Sequence, residues 1–88
     1  MFRVLVVDDD DSIGMFMSRL LKNKFDCKVL LAHNGLEALS ILEDENIDVM
    51  FLDITMPIMD GVETLKTIRK NPEYKRLPVI MLTAIAEK

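Results

Sequence analysis

Four short apolar runs alternate along the chain with stretches in which apolar residues recur every three or four positions. The runs cover residues 3–8, 27–32, 48–53 and 78–83, and such segments are typical of strands buried on both faces. The helical spacing is carried by Ile13, Phe16, Met17, Leu20 and Leu21, by Leu36, Leu39 and Leu42, and by Val62, Leu65 and Ile68. The order βαβαβαβ predicts an α/β fold, a doubly wound parallel sheet with helices on both faces.

Local signals predict where the helices begin and end. Ser12 is a predicted cap of the first helix, and Asp10 and Asp11 before it are also assigned mainly a capping role, since they are well placed for the helix dipole. Asn34 and the glycine after it mark a turn or cap before the second helix. The third helix must end near Asn71, because a proline follows. Residues 84–88 are compatible with the start of another helix.

Acidic side chains and one hydroxyl lie at the points where the predicted strands end. Asp8 and Asp9 end the first strand, Asp53 ends the third, and Thr83 ends the fourth. In such sheets, chemistry takes place at the carboxyl ends of the strands, near the point where strand order reverses. If the first, third and fourth strands are neighbours, the four side chains share one rim. Three crowded carboxylates then favour a hard divalent cation, and Mg²⁺ fits.

This combination of groups predicts phosphoryl-transfer chemistry. An aspartate can act as a nucleophile towards phosphorus. A metal ion neutralises charge on the transferring oxygens, and the hydroxyl of Thr83 is able to donate to a phosphoryl oxygen afterwards. Any one of these aspartates alone is more simply explained as a turn or cap residue. The joint pattern favours a functional site.

Composition narrows the possible classes of protein. The 88 residues are expected to form one domain, residues 1–88. The net charge of −4 argues against direct binding to nucleic acid or to an anionic membrane, since both require a basic face. No apolar run approaches the roughly 20 residues of a membrane helix. The single cysteine, Cys27, cannot form an internal disulfide and is expected to be a buried, reduced thiol in a cytoplasmic protein.

Three segments resemble the receiver (CheY-like, phosphoacceptor) family of two-component response regulators. They are V-L-V-V-D-D-D at 4–10, F-L-D-I-T-M-P-I-M-D-G at 51–61 and P-V-I-M-L-T-A at 78–84. The middle segment is the most specific, and the likeness runs through the whole chain. The resemblance implies a flavodoxin-like sheet with the strand order 2-1-3-4-5. It also implies a phosphoacceptor protein rather than an enzyme, since any self-phosphorylation or dephosphorylation is a single turnover.

The resemblance implies a role for each matching position. Asp53 corresponds to the phosphoacceptor, Asp9 to a direct Mg²⁺ ligand, and Asp8 to a ligand that acts mainly through water. The backbone carbonyl of Thr55 matches a third protein contact with the metal, and Thr83 matches the switch hydroxyl. The loop after the acceptor is shaped by Met56, Pro57, Asp60 and Gly61.

The family also implies a partner. A sensor histidine kinase donates the phosphoryl group from a phosphohistidine, and small phosphodonors often substitute for it. His33 does not match that histidine and is predicted to lie in a solvent-facing loop.

The sequence departs from the family pattern after the fourth strand. A receiver continues with a helix, a strand and a helix, and its fifth strand carries a lysine and a switch aromatic that this chain does not contain. Neither Lys88 nor Lys66 is expected to replace that lysine, and Lys66 is predicted on a solvated helix face. The fourth strand is then expected to be an apolar edge, which predicts a homo-oligomer, most simply a two-fold dimer paired or swapped around that strand.

Two alternatives remain open from the sequence. The run from Asp8 to Ser12 contains D-x-D-x-S, which resembles the first motif of haloacid-dehalogenase-like phosphohydrolases, with Asp8 as nucleophile and Asp10 as general acid. That hypothesis leaves the segment around Asp53 unexplained, and the chain lacks room for the later motifs. The second alternative is a half-receiver that keeps the architecture and self-associates but is not competent for phosphorylation.

Overall fold

A four-stranded parallel sheet forms the middle layer of the protein. The computed structural model describes residues 1–82. The strands are β1 (Phe2–Val7), β2 (Cys27–Ala32), β3 (Val49–Asp53) and β4 (Val79–Leu82). The helices are α1 (Asp11–Lys24), α2 (Gly35–Asp44) and α3 (Gly61–Lys70), and a 3-10 turn spans Pro72–Tyr74. The strand order is β2-β1-β3-β4 with every pairing parallel, which confirms the predicted α/β class and the neighbouring positions of β1, β3 and β4.

The sheet is covered on both faces, which explains why its central strands are apolar at successive positions. On one face, Leu5 and Leu52 pack with Ile68 of α3 and with apolar residues of α2. On the other face, Val4 and Val6 pack with apolar residues of α1. Both central strands therefore lose apolar surface to helices on either side, and burial of that surface stabilises the layered arrangement.

The first helix differs in detail from the prediction. Asp10 is the cap of α1, in keeping with the capping role predicted for it, whereas Ser12 lies inside the helix. The Asp10 side chain accepts a hydrogen bond from the Ser12 N–H at 2.9 Å. Only part of the predicted apolar face is covered: Met17 packs on the sheet, whereas Phe16 is 63% exposed. The run of acids and Ser12 offers several possible caps, and the point at which the chain leaves β1 selects Asp10.

Other boundaries agree with the prediction or lie outside the described residues. Asn34 caps α2, α3 ends at Lys70 with Asn71 as its cap, and Cys27 is buried. Thr83 and residues 84–88 lie outside the described part of the chain. Within residues 1–82, no helix has both the length and the apolar character required to cross a lipid bilayer.

Candidate functional site

Three aspartates meet where β1 and β3 end. Carboxylate oxygens of Asp8, Asp9 and Asp53 lie within 4.8 Å of one another. The cause is the parallel register of the two strands, in which Val7 pairs with Leu52, so the residues directly after these two positions, Asp8 and Asp53, lie side by side. Asp53 is buried at 8% exposure, and Asp9 is exposed. The rim predicted from the strand ends is therefore present for these three residues.

The charges in this cluster oppose one another. Burial, followed by the neighbouring carboxylates of Asp8 and Asp9, raises the pKa of Asp53 above its usual value, and the Thr55 N–H opposes that rise at 3.3 Å from Asp53 Oδ1. Burial also raises the pKa of Asp8, with a further contribution from the charges of Asp9 and Asp10. When ionised, the cluster thus carries concentrated negative charge, which favours the binding of a cation.

The chemistry of the donor set fits a small divalent cation. In an octahedral site with bonds of about 2.1 Å, ligand oxygens lie about 3 Å apart when adjacent and about 4.2 Å apart when opposite. The separations of up to 4.8 Å among Asp8, Asp9 and Asp53 are close to this range. A cation there offsets the burial and the repulsion between carboxylates that raise the pKa values of Asp8 and Asp53.

The loop that follows Asp53 is tightly closed against the strand. The Gly61 N–H donates to the carbonyl oxygen of Ile54 at 2.8 Å, and a Cβ on Gly61 would overlap the backbone of Asp53 and Ile54. Glycine is therefore required where α3 begins. Asp60 caps α3 by accepting the Glu63 N–H at 2.8 Å. These contacts fix the end of the loop close to the acidic cluster.

The middle of this loop contains strain that the sequence did not predict. Ile58 has φ of 72°, a left-handed value that is unfavourable for a β-branched residue, and it is the only non-glycine residue with positive φ among residues 1–82. The Met59 N–H donates to the carbonyl oxygen of Pro57 at 2.7 Å, which closes a γ-turn around Ile58. Before the turn, Met56 is buried in the core and anchors the loop, whereas Pro57 is exposed.

The structure confirms that His33 lies in an exposed loop, and it adds contacts that the sequence did not predict. Its side chain is 51% exposed, but both ring nitrogens have partners: Nε2 lies 2.7 Å from Asp11 Oδ1, and Nδ1 lies 2.9 Å from Glu37 Oε1. The hydrogen bond with Glu37, and then that with Asp11, raises the pKa of His33 above its usual value. The spacing of Glu37 four residues after His33 was visible in the sequence, but Asp11 lies 22 residues away.

Two further residues were considered in the sequence analysis, Thr83 and Lys66. Thr83 lies outside the described residues, so the structure does not place its hydroxyl. Lys66 is exposed on α3, as predicted for a solvated face.

Comparison with known proteins decides the family. A family model described as the response regulator receiver domain matches residues 4–88. The chain belongs to this receiver family. The match includes the aspartates after β1, and it assigns them to a receiver domain rather than to a haloacid-dehalogenase-like hydrolase.

Individual receiver proteins support the assignment. Protein PilG of Pseudomonas aeruginosa is 39% identical over 82 residues, which cover 93% of this chain and 60% of PilG. The chemotaxis protein CheY4 of Vibrio cholerae has a TM-score of 0.89 at 37% identity, covering 99% of this chain and 72% of that structure. The response regulator TrrA of Thermotoga maritima, solved in complex with Mg²⁺-BeF, has a TM-score of 0.88 at 37% identity, covering 98% of this chain and 72% of that structure. The chain spans less than two thirds of the length of the curated relatives that it first matches.

Family membership establishes the general function. Receiver domains are phosphoacceptors of two-component signalling and are not enzymes in themselves. Receiver domains bind Mg²⁺ at an acidic pocket, and the cluster of Asp8, Asp9 and Asp53 has that character in this chain.

Proposed function

We propose that this receiver accepts a phosphoryl group on Asp53 from a sensor histidine kinase in a reaction that depends on Mg²⁺. The observation that carries the proposal is the position of Asp53: it is the most buried of three clustered carboxylates and ends the central strand β3. Its Oδ1 accepts the Thr55 N–H, which restricts rotation of the carboxylate. A fixed orientation favours in-line attack on phosphorus.

The other residues of the site have different roles in binding the metal. Asp9, which is exposed at the rim, is the direct ligand, and Asp8 acts mainly through water. The backbone carbonyl of Thr55 completes the protein contacts from the loop after Asp53. The bound Mg²⁺ supplies positive charge to the transferring phosphoryl oxygens. Thr83 is the switch hydroxyl in this proposal. Each phosphoryl transfer is a single turnover, so the chain is a phosphoacceptor and not an enzyme.

A stable phosphoryl mimic tests this arrangement. We expect addition of beryllofluoride to change the amide NMR shifts of residues around Asp53, and only when Mg²⁺ is present. Asp53→Asn should abolish the change, whereas Asp44→Asn, at the exposed end of α2, should retain it. Shift changes that persist in Asp53→Asn, or that do not require Mg²⁺, would show that the site works differently.

The second candidate function is self-association without phosphoryl transfer. Among the described strands, β4 pairs only with β3, and Ile80 of β4 is 47% exposed. An apolar edge of this kind favours pairing with a second copy, most simply around a two-fold axis. Light scattering during gel filtration measures the mass directly. A dimer that dissociates in Ile80→Lys supports this candidate, and a monomer at micromolar concentration rejects it.

A further inference from the structure

His33 connects two helix starts beside the acidic cluster. Its ring lies between Asp11, the first residue of α1, and Glu37, in the first turn of α2, at 2.7 Å and 2.9 Å. Since both ring nitrogens face carboxylate oxygens, only the doubly protonated imidazolium donates to both partners. The side chain is therefore a bridge and not a free surface histidine.

The Glu37 end of this bridge is well anchored. The backbone N–H of His33 also donates to Glu37 Oε1 at 3.1 Å. The backbone N–H of Glu37 in turn donates to the side chain of Asn34 at 2.9 Å. Asn34 caps α2, and Gly35 after it packs so closely that an added Cβ would overlap Met59 and α3. The turn between β2 and α2 is thus a fixed support.

The Asp11 end of the bridge holds the segment that carries the metal ligands. The Asp8 N–H donates to the carbonyl oxygen of Ala32 at 3.0 Å, so the segment is tied to the end of β2 at its start. The contact of Asp11 with His33 ties it to the same turn three residues later. Asp9 lies between these two ties.

Within the segment, hydrogen bonds transmit the restraint. The Asp10 N–H donates to Asp8 Oδ1 at 2.9 Å, and the Asp10 side chain accepts the Ser12 N–H at 2.9 Å. Both ties restrain movement of the segment relative to the turn. Loss of the Asp11 tie leaves Asp9 restrained by the Asp8 contact and by the start of α1, which is then no longer joined to the turn before α2.

We infer that His33 is a positioning residue for the metal site, which fixes the segment from Asp8 to Asp11 so that Asp9 faces Asp53. His33 touches neither the metal nor the phosphoryl group in this account. The inference rests on the proposed function, because it assumes that Asp8, Asp9 and Asp53 hold Mg²⁺. It adds a residue from the β2 edge to a site built on β1 and β3.

The direction in which His33→Ala changes Mg²⁺ affinity distinguishes a positioning role from a purely electrostatic effect. Removal of the imidazolium from the neighbourhood of three carboxylates makes the local potential more negative, and Coulomb attraction alone then predicts tighter Mg²⁺ binding. Loss of positioning predicts the opposite. Groups that orient metal ligands typically change affinity by 10–100-fold. Because His33 is half-exposed, we expect His33→Ala to weaken Mg²⁺ binding by roughly 3–10-fold, which is below the usual range for such groups.

The test is calorimetric titration of the chain with Mg²⁺ alone at neutral pH. His33→Ala is compared with wild type, with Glu37→Gln, which loosens the same bridge at its other end, and with Lys28→Ala, which removes an exposed positive charge on β2 outside the bridge. The expected result is weaker binding in His33→Ala and Glu37→Gln and unchanged or tighter binding in Lys28→Ala. If His33→Ala does not fold, His33→Gln, which keeps one hydrogen bond, takes its place with a smaller expected loss.

The outcomes distinguish a failure of this inference from a failure of the proposed function on which it rests. Equal or tighter binding in a folded His33→Ala overturns the positioning role and leaves the proposed function intact. Absence of Mg²⁺ binding in the wild-type chain overturns both.

Discussion

Asp8 and Asp53 follow paired positions of adjacent parallel strands, since Val7 and Leu52 are partners in the register of β1 and β3. This relationship brings two carboxylates together with Asp9 to within 4.8 Å. Each of the two resists ionisation in the absence of a cation, because burial and the neighbouring charges raise its pKa. The fold thus holds together a group of charges that a bound metal ion would stabilise.

Removal of the Asp53 charge should stabilise the metal-free protein. Burial and the charges of Asp8 and Asp9 raise the pKa of Asp53, so the ionised form opposes folding at neutral pH. We expect Asp53→Asn to raise the melting temperature at pH 7 by on the order of 4–8 °C, or about 1 kcal/mol for a domain of this size. Circular dichroism in EDTA measures the effect, with the exposed Asp44→Asn as control. A lower melting temperature in Asp53→Asn would contradict the electrostatic account.

The same carboxylates should make this difference depend on pH. Asp8 and Asp53 bind protons more tightly in the folded chain than in the unfolded chain, because their pKa values are raised from 3.8. Relative to Asp53→Asn, the metal-free wild type should therefore gain stability as pH falls through the raised pKa of Asp53, and the gain should be complete below 3.8. Urea denaturation from pH 7 to pH 3.5 measures the difference. A difference in unfolding free energy between wild type and Asp53→Asn that grows as pH falls would contradict this prediction.

Gly61 should tolerate no side chain. A Cβ there would lie 2.8 Å from Ile54 Cα and would overlap the carbonyl oxygen of Asp53, and these are backbone atoms that cannot rotate away. We expect Gly61→Ala to destabilise the fold by about 1–3 kcal/mol, as in other overpacked sites. Gly14→Ala is the matched control, because its Cβ would meet only the Leu31 side chain at 3.4 Å and alanine favours a helix. Equal unfolding free energies for the two variants, measured in urea, would argue against the close approach.

Removal of the backbone strain at Ile58 should stabilise the loop after Asp53. Ile58 has φ of 72° and its side chain is 73% exposed, so glycine loses little apolar contact there and removes the steric cost. We expect the free energy of unfolding of Ile58→Gly to exceed that of wild type by about 1 kcal/mol. This figure allows for the greater entropy of glycine in the unfolded chain, which opposes the gain. Val62→Gly, at an exposed position within α3, should instead be destabilised. Urea denaturation compares the two variants, and a loss of stability in Ile58→Gly would show that its conformation is not strained.

His33 should show a titration opposite in sign to that of the carboxylates. Its pKa is raised from 6.5 by the hydrogen bond with Glu37 and then by that with Asp11. The imidazolium therefore adds stability that is fully present below pH 6.5 and is lost as pH rises through the raised pKa. The effect is small because exposed ion pairs are screened by solvent. NMR titration of the ring measures the pKa, and Glu37→Gln should lower it; an unchanged value would mean that the contact is absent in solution.

Strand order and the acidic rim were accessible from the sequence. Apolar runs identified the strands, and the aspartates that end β1 and β3 had to meet once those strands were neighbours. The neighbouring positions themselves followed from the resemblance to receivers and not from periodicity. The sequence also identified Asn34 as a cap, because Asn-Gly before a helical pattern has few other structural meanings.

The features that the sequence did not predict depend on tertiary geometry. Asp10, Asp11 and Ser12 were all predicted as capping residues, and only the exit of the chain from β1 selects Asp10 among them. The contact of His33 with Asp11 joins residues 22 positions apart in sequence, so no local pattern reports it. The strain at Ile58 arises because the loop must return to place Gly61 against Asp53, a requirement that no propensity scale contains.

Intact-mass spectrometry after incubation with acetyl phosphate tests the central claim most directly. The account predicts gain of one phosphoryl group in the presence of Mg²⁺, none in EDTA, none in Asp53→Asn, and normal gain in the exposed control Asp44→Asn. Absence of any gain in a folded protein that binds Mg²⁺ would contradict the claim that Asp53 accepts phosphate in this chain. A gain that persists in Asp53→Asn would place the acceptor elsewhere.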